Sequence, residues 1–202
     1  MDLENDSALN KLRSIVPLSI VVMGVSGCGK STLGTELAGA IGCRFLEGDA
    51  FHAPEAIAKM RAGEALSDDD RWPWLERVGA AVNTVVKDDG VAVAACSALR
   101  RVYRDRLKAA IGSPVFFVLL EAGHDELLHR FARRPDHYMP VGLLSSQLRT
   151  LERPQPDELA FSVDACRPPS VLCDLIISGV VARADRQGRP HNTPDQRSVI
   201  AR

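Results

Sequence analysis

The sequence predicts a three-layer α/β fold in which a five-stranded parallel sheet carries helices on both faces. Five short apolar runs alternate with segments of helical periodicity along the 202 residues, and this alternation is typical of parallel sheets. Residues 91–96 (VAVAAC) are apolar without interruption, as expected for a strand that helices cover on both sides.

The predicted elements follow a polar lead-in, residues 1 to about 16. Strands are predicted at residues 18–23, 44–47, 91–96, 115–120 and 159–164. Helices are predicted at residues 30–41, 54–62, 68–86, 99–110, 125–133, 143–152 and 170–182. Gly42 and Gly112 stop two of these helices, since glycine readily ends a helix. Asp68, Asp69 and Asp70 offer an N-cap and first-turn carboxylates for the longest helix.

The chain divides into one domain and two terminal segments. A single domain is predicted at residues 17–183, which is enough chain to bury a proper core. From about residue 184 the sequence is rich in Arg, Asp, Gln, Gly, Pro, Asn and Thr. Because such a segment has little apolar surface to bury, residues 184–202 are predicted to be a disordered tail.

Charge and cysteine content exclude several classes of protein. Lys and Arg total 25 against 26 Asp and Glu, so there is no electrostatic case for a nucleic acid or a membrane as the main partner. Five cysteines without a C-x-x-C pair argue against a disulfide framework or a zinc site. The polar start is unlike a secretory signal, and no apolar run approaches the ~20 residues of a membrane span. We expect a soluble, cytoplasmic protein.

A glycine-rich loop carries the strongest chemical signal. Residues 24–31 read GVSGCGKS and match G-x-x-x-x-G-K-[ST], the loop whose main-chain N–H groups cradle nucleotide phosphates. It lies between a predicted strand and a predicted helix, and the helix adds the positive end of its dipole. The residues predicted to contact ATP are Gly24, Val25, Ser26, Gly27, Cys28, Gly29, Lys30, Ser31 and Thr32. Lys30 is predicted to reach the β- and γ-phosphates and Ser31 to ligate Mg²⁺.

Two side chains after the second predicted strand suit the acceptor of a phosphoryl group. Asp49 follows that strand, at the sheet edge where ligands bind. It can orient an acceptor hydroxyl or hold a magnesium-bound water, or it can simply cap the next helix. His52 can hydrogen-bond a polyol hydroxyl or be an ordinary exposed histidine. The third predicted strand ends without the carboxylate of P-loop ATPases and GTPases, which favours a small-molecule kinase.

Arginines cluster after two of the predicted strands. Arg100 and Arg104 share a helix face, as do Arg130 and Arg134. These clusters suit a negative acceptor and a triphosphate, although a solvated helix face explains any single arginine. Arg130 and Arg134 precede a proline-bounded interruption, which predicts a lid over ATP at about residues 130–153.

The chain resembles the gluconokinase family of P-loop small-molecule kinases, which is related in fold to shikimate and adenylate kinases. Besides the phosphate loop, the resemblance rests on LEGDAFH (46–52), KMRAGEALSDDDRWPWL (59–75), CSALRRVYRD (96–105), HYMP (137–140) and LLSSQL (143–148). The patterns G-D-x-x-H and D-D-D-R-x-P-W-L are the most specific of these.

The resemblance implies a homodimeric enzyme that uses Mg²⁺ and ATP to phosphorylate D-gluconate at its 6-hydroxyl. It implies that Asp49 and His52 are site residues, and that Arg71 and Arg104 are candidates for binding the gluconate carboxylate. Lys30, Arg130 and Arg134 would then stabilise the transferred phosphoryl group, and Ser31 and Asp49 would hold the metal. Two alternatives remain open. The first is a kinase for shikimate or a nucleoside monophosphate; the glycine triplet that shikimate kinases carry after the third strand is missing here, which counts against it. The second is a nucleotide-binding regulator without turnover.

Overall fold

Five parallel strands form the sheet in a computed structural model that describes residues 3–132 and 141–186. The strands are Leu18–Met23 (β1), Arg44–Glu47 (β2), Val91–Ala95 (β3), Val115–Glu121 (β4) and Ala160–Asp164 (β5). Their order is β2-β3-β1-β4-β5, and every neighbouring pair is parallel. The predicted α/β fold is confirmed.

Eight α-helices connect and flank these strands within the described residues. They are Leu3–Ser14 (α1), Lys30–Ile41 (α2), Pro54–Arg61 (α3), Asp68–Asp89 (α4), Arg101–Ile111 (α5), His124–Ala132 (α6), Val141–Thr150 (α7) and Pro169–Arg186 (α8). A 3₁₀ turn, Gly48–Phe51, follows β2. Seven of the helices were predicted, with ends displaced by a few residues, as is usual for helix boundaries.

The sheet is covered on both faces because successive strand residues point to opposite sides. On one face, Ile20 and Phe116 pack with α1, α2 and α8. On the other, Val21 and Phe117 pack with α4 and α5. Every residue of β1 and β3 is buried, which explains their uninterrupted apolar sequences.

Both ends of the chain contain more helix than the sequence pattern indicated. The predicted lead-in contains α1, whose Leu12 is fully buried and whose Arg13 donates to the main-chain oxygen of Ile41 at 2.9 Å. Its few apolar residues give a weak periodic signal, and packing against α8 stabilises it. Helix α8 continues to Arg186 with Ala184 buried, so residues 184–186 are helical. The rest of the predicted tail, residues 187–202, lies outside the described residues.

Helix α4 begins with a capping box, and Ser67 rather than Asp68 is its N-cap. The Ser67 hydroxyl accepts from the Asp70 N–H, and the Asp70 carboxylate accepts from the Ser67 N–H at 2.9 Å. Serine followed by an acid three residues later satisfies two N–H groups of the first turn at once. Lys59 and Ser67 together lower the pKa of Asp70 to about 2. Asp68 is thereby left in the first turn, where its side chain can face other elements.

The carboxyl ends of the strands meet at one edge of the sheet. The glycine loop after β1, the 3₁₀ turn after β2 and residues 96–100 after β3 all lie there, since the three strands are adjacent and parallel. A membrane-spanning helix would need a longer apolar stretch than any helix of the described segments offers.

Candidate active site

The glycine loop packs tightly against the ends of β3 and β4. The Gly24 N–H donates to the Ser97 carbonyl at 3.2 Å, and a Cβ on Gly24 would lie 2.8 Å from the Leu120 carbonyl oxygen. Gly29 caps α2 with a φ of 107°, a conformation that favours glycine. The loop can therefore follow this path only with glycine at these two positions.

The side chains at the start of α2 are arranged around the loop. Lys30 Nζ donates to the Val25 carbonyl oxygen at 3.0 Å, so the ammonium already lies over the loop. Ser31 and Thr32 are exposed in the first turn of α2. The Cys28 side chain is fully buried and faces the protein interior.

A cavity opens beside the loop at the carboxyl edge of the sheet, and we call it the acceptor cavity. Its lining includes Lys30, Asp49, His52, Arg71, Trp74 and Gln147. The structure thus brings together predicted site residues from three elements: Lys30 of α2, Asp49 and His52 of the 3₁₀ turn, and Arg71 of α4. The acceptor cavity holds a lysine, an arginine and a carboxylate, which is the set that phosphoryl transfer to an alcohol requires.

Close backbone packing presents Asp49 to this cavity. A Cβ on Gly48 would lie 2.2 Å from the Ala95 carbonyl oxygen, so only glycine allows β2 to turn directly against β3. The Glu47 carboxylate accepts from the Asp49 N–H at the start of the 3₁₀ turn. The Asp49 side chain is 48% exposed, and its oxygens are accessible to a ligand in the cavity.

His52 is buried beside Asp49, contrary to the alternative of an exposed loop histidine. Its side chain is 4% exposed, and its Nε2 lies 3.9 Å from an Asp49 oxygen. Within the described part of the chain its Nδ1 has no hydrogen-bond partner. Burial lowers the pKa of His52; the Asp49 charge opposes this shift, and the charges of Arg77 and Arg71 add to it. The imidazole is therefore neutral at neutral pH and can exchange hydrogen bonds with alcohols.

Arg71 is held by a group of polar side chains at the cavity wall. Its guanidinium donates to the Tyr103 hydroxyl at 3.2 Å and lies 3.6 Å from Asp68. The Tyr103 hydroxyl donates to Asp68 at 2.5 Å, and Arg100 donates to the same carboxylate at 2.8 Å. The hydrogen bond from Tyr103 lowers the pKa of Asp68, with the Arg100 charge assisting. These contacts position Arg71 without neutralising it fully, because Asp68 also pairs with Arg100.

Arg104 is not brought into the acceptor cavity, which corrects the expectation that it binds the acceptor carboxylate. It is fully buried and donates twice to Glu158, at 2.5 and 2.9 Å. It also donates to the main-chain oxygens of Ala98, Leu99 and Glu152. Ala98 has a φ of 43°, which is costly for a residue with a side chain. Arg104 therefore acts as an anchor for the segment after β3, and it does not converge with Arg100 on one ligand.

The Glu158 carboxylate is ionised in this buried pair. Burial alone would raise its pKa, but hydrogen bonds from Arg104 and from the Gln155 N–H outweigh that effect and lower the pKa. A buried arginine with a bidentate carboxylate and carbonyl partners has the hydrogen bonds that such a charge needs.

Arg130 of α6 contacts the phosphate loop. It donates to the Cys28 carbonyl at 2.7 Å, to the Ala165 carbonyl at 2.8 Å and to Glu126 at 2.6 Å. In this structure its guanidinium thus joins the loop to the segment after β5. Arg134 lies outside the described residues, as do all of residues 133–140 of the predicted lid.

A second cavity also borders the loop, with Cys28 and Gly29 in its lining. Thr32, Arg130, Arg167, Pro168 and Leu172 contribute to its lining. It adjoins the first turn of α2, where exposed main-chain and hydroxyl groups are available to a phosphate. The loop and the first turn of α2 therefore contribute residues to both cavities.

Sequence reasoning missed three residues of the site: Asp68, Tyr103 and Gln147. Asp68 was assigned only as a helix cap. No pattern near Tyr103 in the sequence marks it as a site residue, because its contact with Arg71 joins two different helices, α5 and α4. For Gln147 a signal existed: it is a polar residue between Leu144 and Leu148, on a helix stripe that packs inward.

Comparison with known proteins shows which family the chain belongs to. A family model described as AAA domain matches residues 20–154. A gluconokinase of Gluconobacter oxydans (strain 621H) is 44% identical over 161 residues, which cover 80% of this chain and 90% of the relative.

Solved structures show the same relationship. The crystal structure of a gluconokinase from Sinorhizobium meliloti 1021 has a TM-score of 0.75 and 41% identity, covering 86% of this chain and 97% of that one. Shikimate kinase from Acinetobacter baumannii, at 16% identity and a TM-score of 0.53 over 86% of this chain and 97% of that one, shares the fold. The chain belongs to the gluconokinase family of P-loop kinases.

Proposed function

We propose that this chain transfers the γ-phosphoryl group of ATP to the 6-hydroxyl of D-gluconate, giving 6-phospho-D-gluconate. The observation that carries the proposal is the acceptor cavity, in which Asp49 and Arg71 face the same space as Lys30 of the phosphate loop. A sugar acid has a carboxylate at one end and a primary alcohol at the other. Arg71 suits the carboxylate and Asp49 suits the alcohol.

ATP would lie across the phosphate loop. The main-chain N–H groups of residues 24–32 and the start of α2 would bind its phosphates, and the second cavity would take its base. Lys30 would offset charge on the transferred group. Arg130 already reaches the loop and would assist, together with Arg134 of the predicted lid.

In the acceptor cavity, each side chain would have a separate task. Arg71, positioned by Tyr103 and Asp68, would bind the carboxylate. The neutral His52 would hydrogen-bond a hydroxyl of the polyol chain. The oxygen of the 6-hydroxyl would attack the γ-phosphorus while Asp49 accepts the hydroxyl proton. ADP would leave with the electron pair of the broken phosphorus–oxygen bond.

The residues present fit Mg²⁺. No group of three or more His, Cys, Asp or Glu side chains that could hold a metal occurs in the described ranges. Mg²⁺ in kinases typically uses one or two protein oxygens, with phosphates and waters completing its shell. The exposed Ser31 hydroxyl and the half-exposed Asp49 carboxylate are such oxygens. The metal, when bound, supplies positive charge that neutralises the phosphates.

The test is an acceptor panel assayed by ADP release with Mg²⁺ and ATP. D-gluconate, shikimate, AMP and the neutral polyol D-glucitol are compared, and ³¹P NMR identifies the phosphorylated carbon. We expect turnover with D-gluconate that exceeds turnover with each other acceptor by at least 100-fold, and a phosphate at C6. Preferred turnover of shikimate or AMP would establish the alternative kinase, and binding of ATP without turnover of any acceptor would establish the regulator.

We also propose that the enzyme is a cytoplasmic homodimer, as the family resemblance implies. Light scattering after gel filtration measures the mass directly. A mass of about twice the 21.9 kDa chain is expected, and a monomer mass at micromolar concentration would contradict it.

A further inference from the structure

Ser97 lies between the phosphate loop and the turn that carries Asp49. Strand β3 is placed between β2 and β1 in the sheet, and Ser97 is the second residue after it. On one side, the Ser97 carbonyl oxygen accepts from the Gly24 N–H at 3.2 Å. On the other side, a Cβ on Gly48 would lie only 3.4 Å from the Cα of Cys96. Main-chain packing therefore fixes Ser97 relative to both the loop and the turn.

Ser97 also belongs to the acceptor cavity. It is half-buried and lines this cavity together with Lys30 and Asp49. An alcohol that is held by Asp49 and attacks a phosphate on the loop must lie over the end of β3, because β3 separates the two strands that precede these groups. Ser97 supplies a hydroxyl group at this place.

A costly backbone turn directly follows Ser97. Ala98 is fully buried and has a φ of 43°. Arg104 holds this turn, because it donates to the carbonyl oxygens of Ala98 and Leu99 at 3.3 and 3.4 Å. Backbone strain of this kind persists only where the surrounding structure enforces it, and it is concentrated at functional sites. The fold thus maintains one direction of the chain exactly where Ser97 meets the cavity.

A neutral hydroxyl at this place matches the needs of an attacking alcohol. The alcohol oxygen has one proton and two lone pairs. In the proposed reaction Asp49 accepts the proton and one lone pair attacks the γ-phosphorus, so the second lone pair remains for a donor. P-loop ATPases and GTPases have a carboxylate at the end of this strand. An ionised carboxylate could not donate and would repel Asp49, whereas the Ser97 hydroxyl can donate.

We propose that Ser97 is a further catalytic residue, whose hydroxyl donates a hydrogen bond to the attacking oxygen of the acceptor. Together with Asp49, it would fix the direction of the lone pair that attacks, and such orientation contributes to the rate. The identity of the acceptor and the role of Asp49 rest on the proposed function.

The test is a binding cycle that removes the Ser97 hydroxyl and the acceptor 6-hydroxyl, separately and together. Calorimetry measures the Kd of D-gluconate and of 6-deoxy-D-gluconate for wild type and for Ser97→Ala. A Mg²⁺-bound, non-hydrolysable ATP analogue is present, so that no turnover occurs. Wild type should prefer D-gluconate to the deoxy compound. In Ser97→Ala this preference should fall about threefold to tenfold, while the Kd of the deoxy compound stays within about twofold.

Ser146→Ala is the matched control within the same cavity. Ser146 also lines the acceptor cavity, but it lies towards Arg71, where it borders a neighbouring cavity together with Asp68 and Tyr103. Its replacement should leave the preference for D-gluconate over 6-deoxy-D-gluconate unchanged, even where both Kd values rise.

A reduced preference in Ser97→Ala alone supports the proposal. An unchanged preference, an equal change of both Kd values, or an equal fall in Ser146→Ala would overturn it, since a structural role does not depend on the 6-hydroxyl. If the acceptor panel selects another acceptor, the proposed function fails. The same cycle with that acceptor and its analogue without the phosphorylated hydroxyl then decides about Ser97. A wild type that turns over no acceptor would overturn both proposals.

Discussion

The imidazole of His52 stacks on the indole of Trp74, with ring centroids 4.2 Å apart and planes inclined by 14°. Trp74 Nε1 also donates to the Gly48 carbonyl at 2.7 Å. The indole thus holds both the residue that precedes Asp49 and the histidine that follows it. The carboxylate is fixed at the cavity by aromatic packing as well as by the 3₁₀ turn.

The stacked histidine makes stability depend on pH. Because burial lowers the folded-state pKa of His52 below its unfolded value of about 6.5, the folded protein binds fewer protons there than the unfolded chain. The contribution of the neutral His52 to the free energy of unfolding is therefore fully present above about pH 6.5, and it is lost as the pH falls towards the lowered pKa. We expect wild type to lose about 2–4 °C more in Tm than His52→Phe between pH 7.5 and 5.5.

The exposed His124 provides the control for this measurement. It is 56% exposed in its side chain, so His124→Phe should keep the pH dependence of wild type. Identical pH profiles for wild type and His52→Phe would show that His52 is not the group responsible.

The variant Asp49→Asn tests whether Asp49 accepts the proton of the acceptor hydroxyl. The amide keeps the size of the side chain but cannot take a proton, so kcat with D-gluconate should fall about 100-fold to 10,000-fold. Asp88→Asn, which alters an exposed partner of Arg44, is the control and should leave kcat unchanged. A kcat within a fewfold of wild type in Asp49→Asn would rule out the assigned role.

Arg71→Ala tests recognition of the acceptor carboxylate. Loss of a charged hydrogen bond costs about 1.5–3 kcal/mol, so the KM for D-gluconate should rise about 10-fold to 100-fold. Tyr103→Phe removes only the hydroxyl that positions Arg71, and this variant should raise the KM for D-gluconate about threefold to tenfold. Turnover of neutral D-glucitol, however slow, should not change in either variant, and an equal loss with both acceptors would argue for a general structural defect.

Arg104→Met tests the buried anchor. Removing one partner of a buried ion pair typically costs about 3–5 kcal/mol, and urea unfolding should show a loss of that size. The double variant Arg104→Met/Glu158→Leu, which replaces both partners, should recover much of the lost free energy of unfolding. Arg106→Met breaks an exposed pair with Glu76 and should cost less than about 1 kcal/mol. Unchanged stability together with a raised KM for D-gluconate would instead place Arg104 at the substrate.

Much of the fold and part of the site could be predicted from local patterns. The order of strands and helices follows from apolar periodicity, which each segment carries by itself. The phosphate loop and Asp49 follow from motifs of a few residues next to predicted strands. Arg71 and Arg104 could not be separated in this way, because the direction of each side chain depends on the elements packed around it. Glu158, which holds Arg104, is 54 residues further along the chain.

The sequence by itself determined the five-stranded parallel sheet, the glycine loop between β1 and α2, and the carboxylate after β2, since each depends on neighbouring residues. Only the tertiary structure decided that Gln147 meets Ser26 across 121 residues, that Arg71 faces the cavity and that the residues of the lead-in form a packed helix. Those outcomes depend on burial and hydrogen bonds between distant segments, and such contacts exist only once the sheet has brought the segments together.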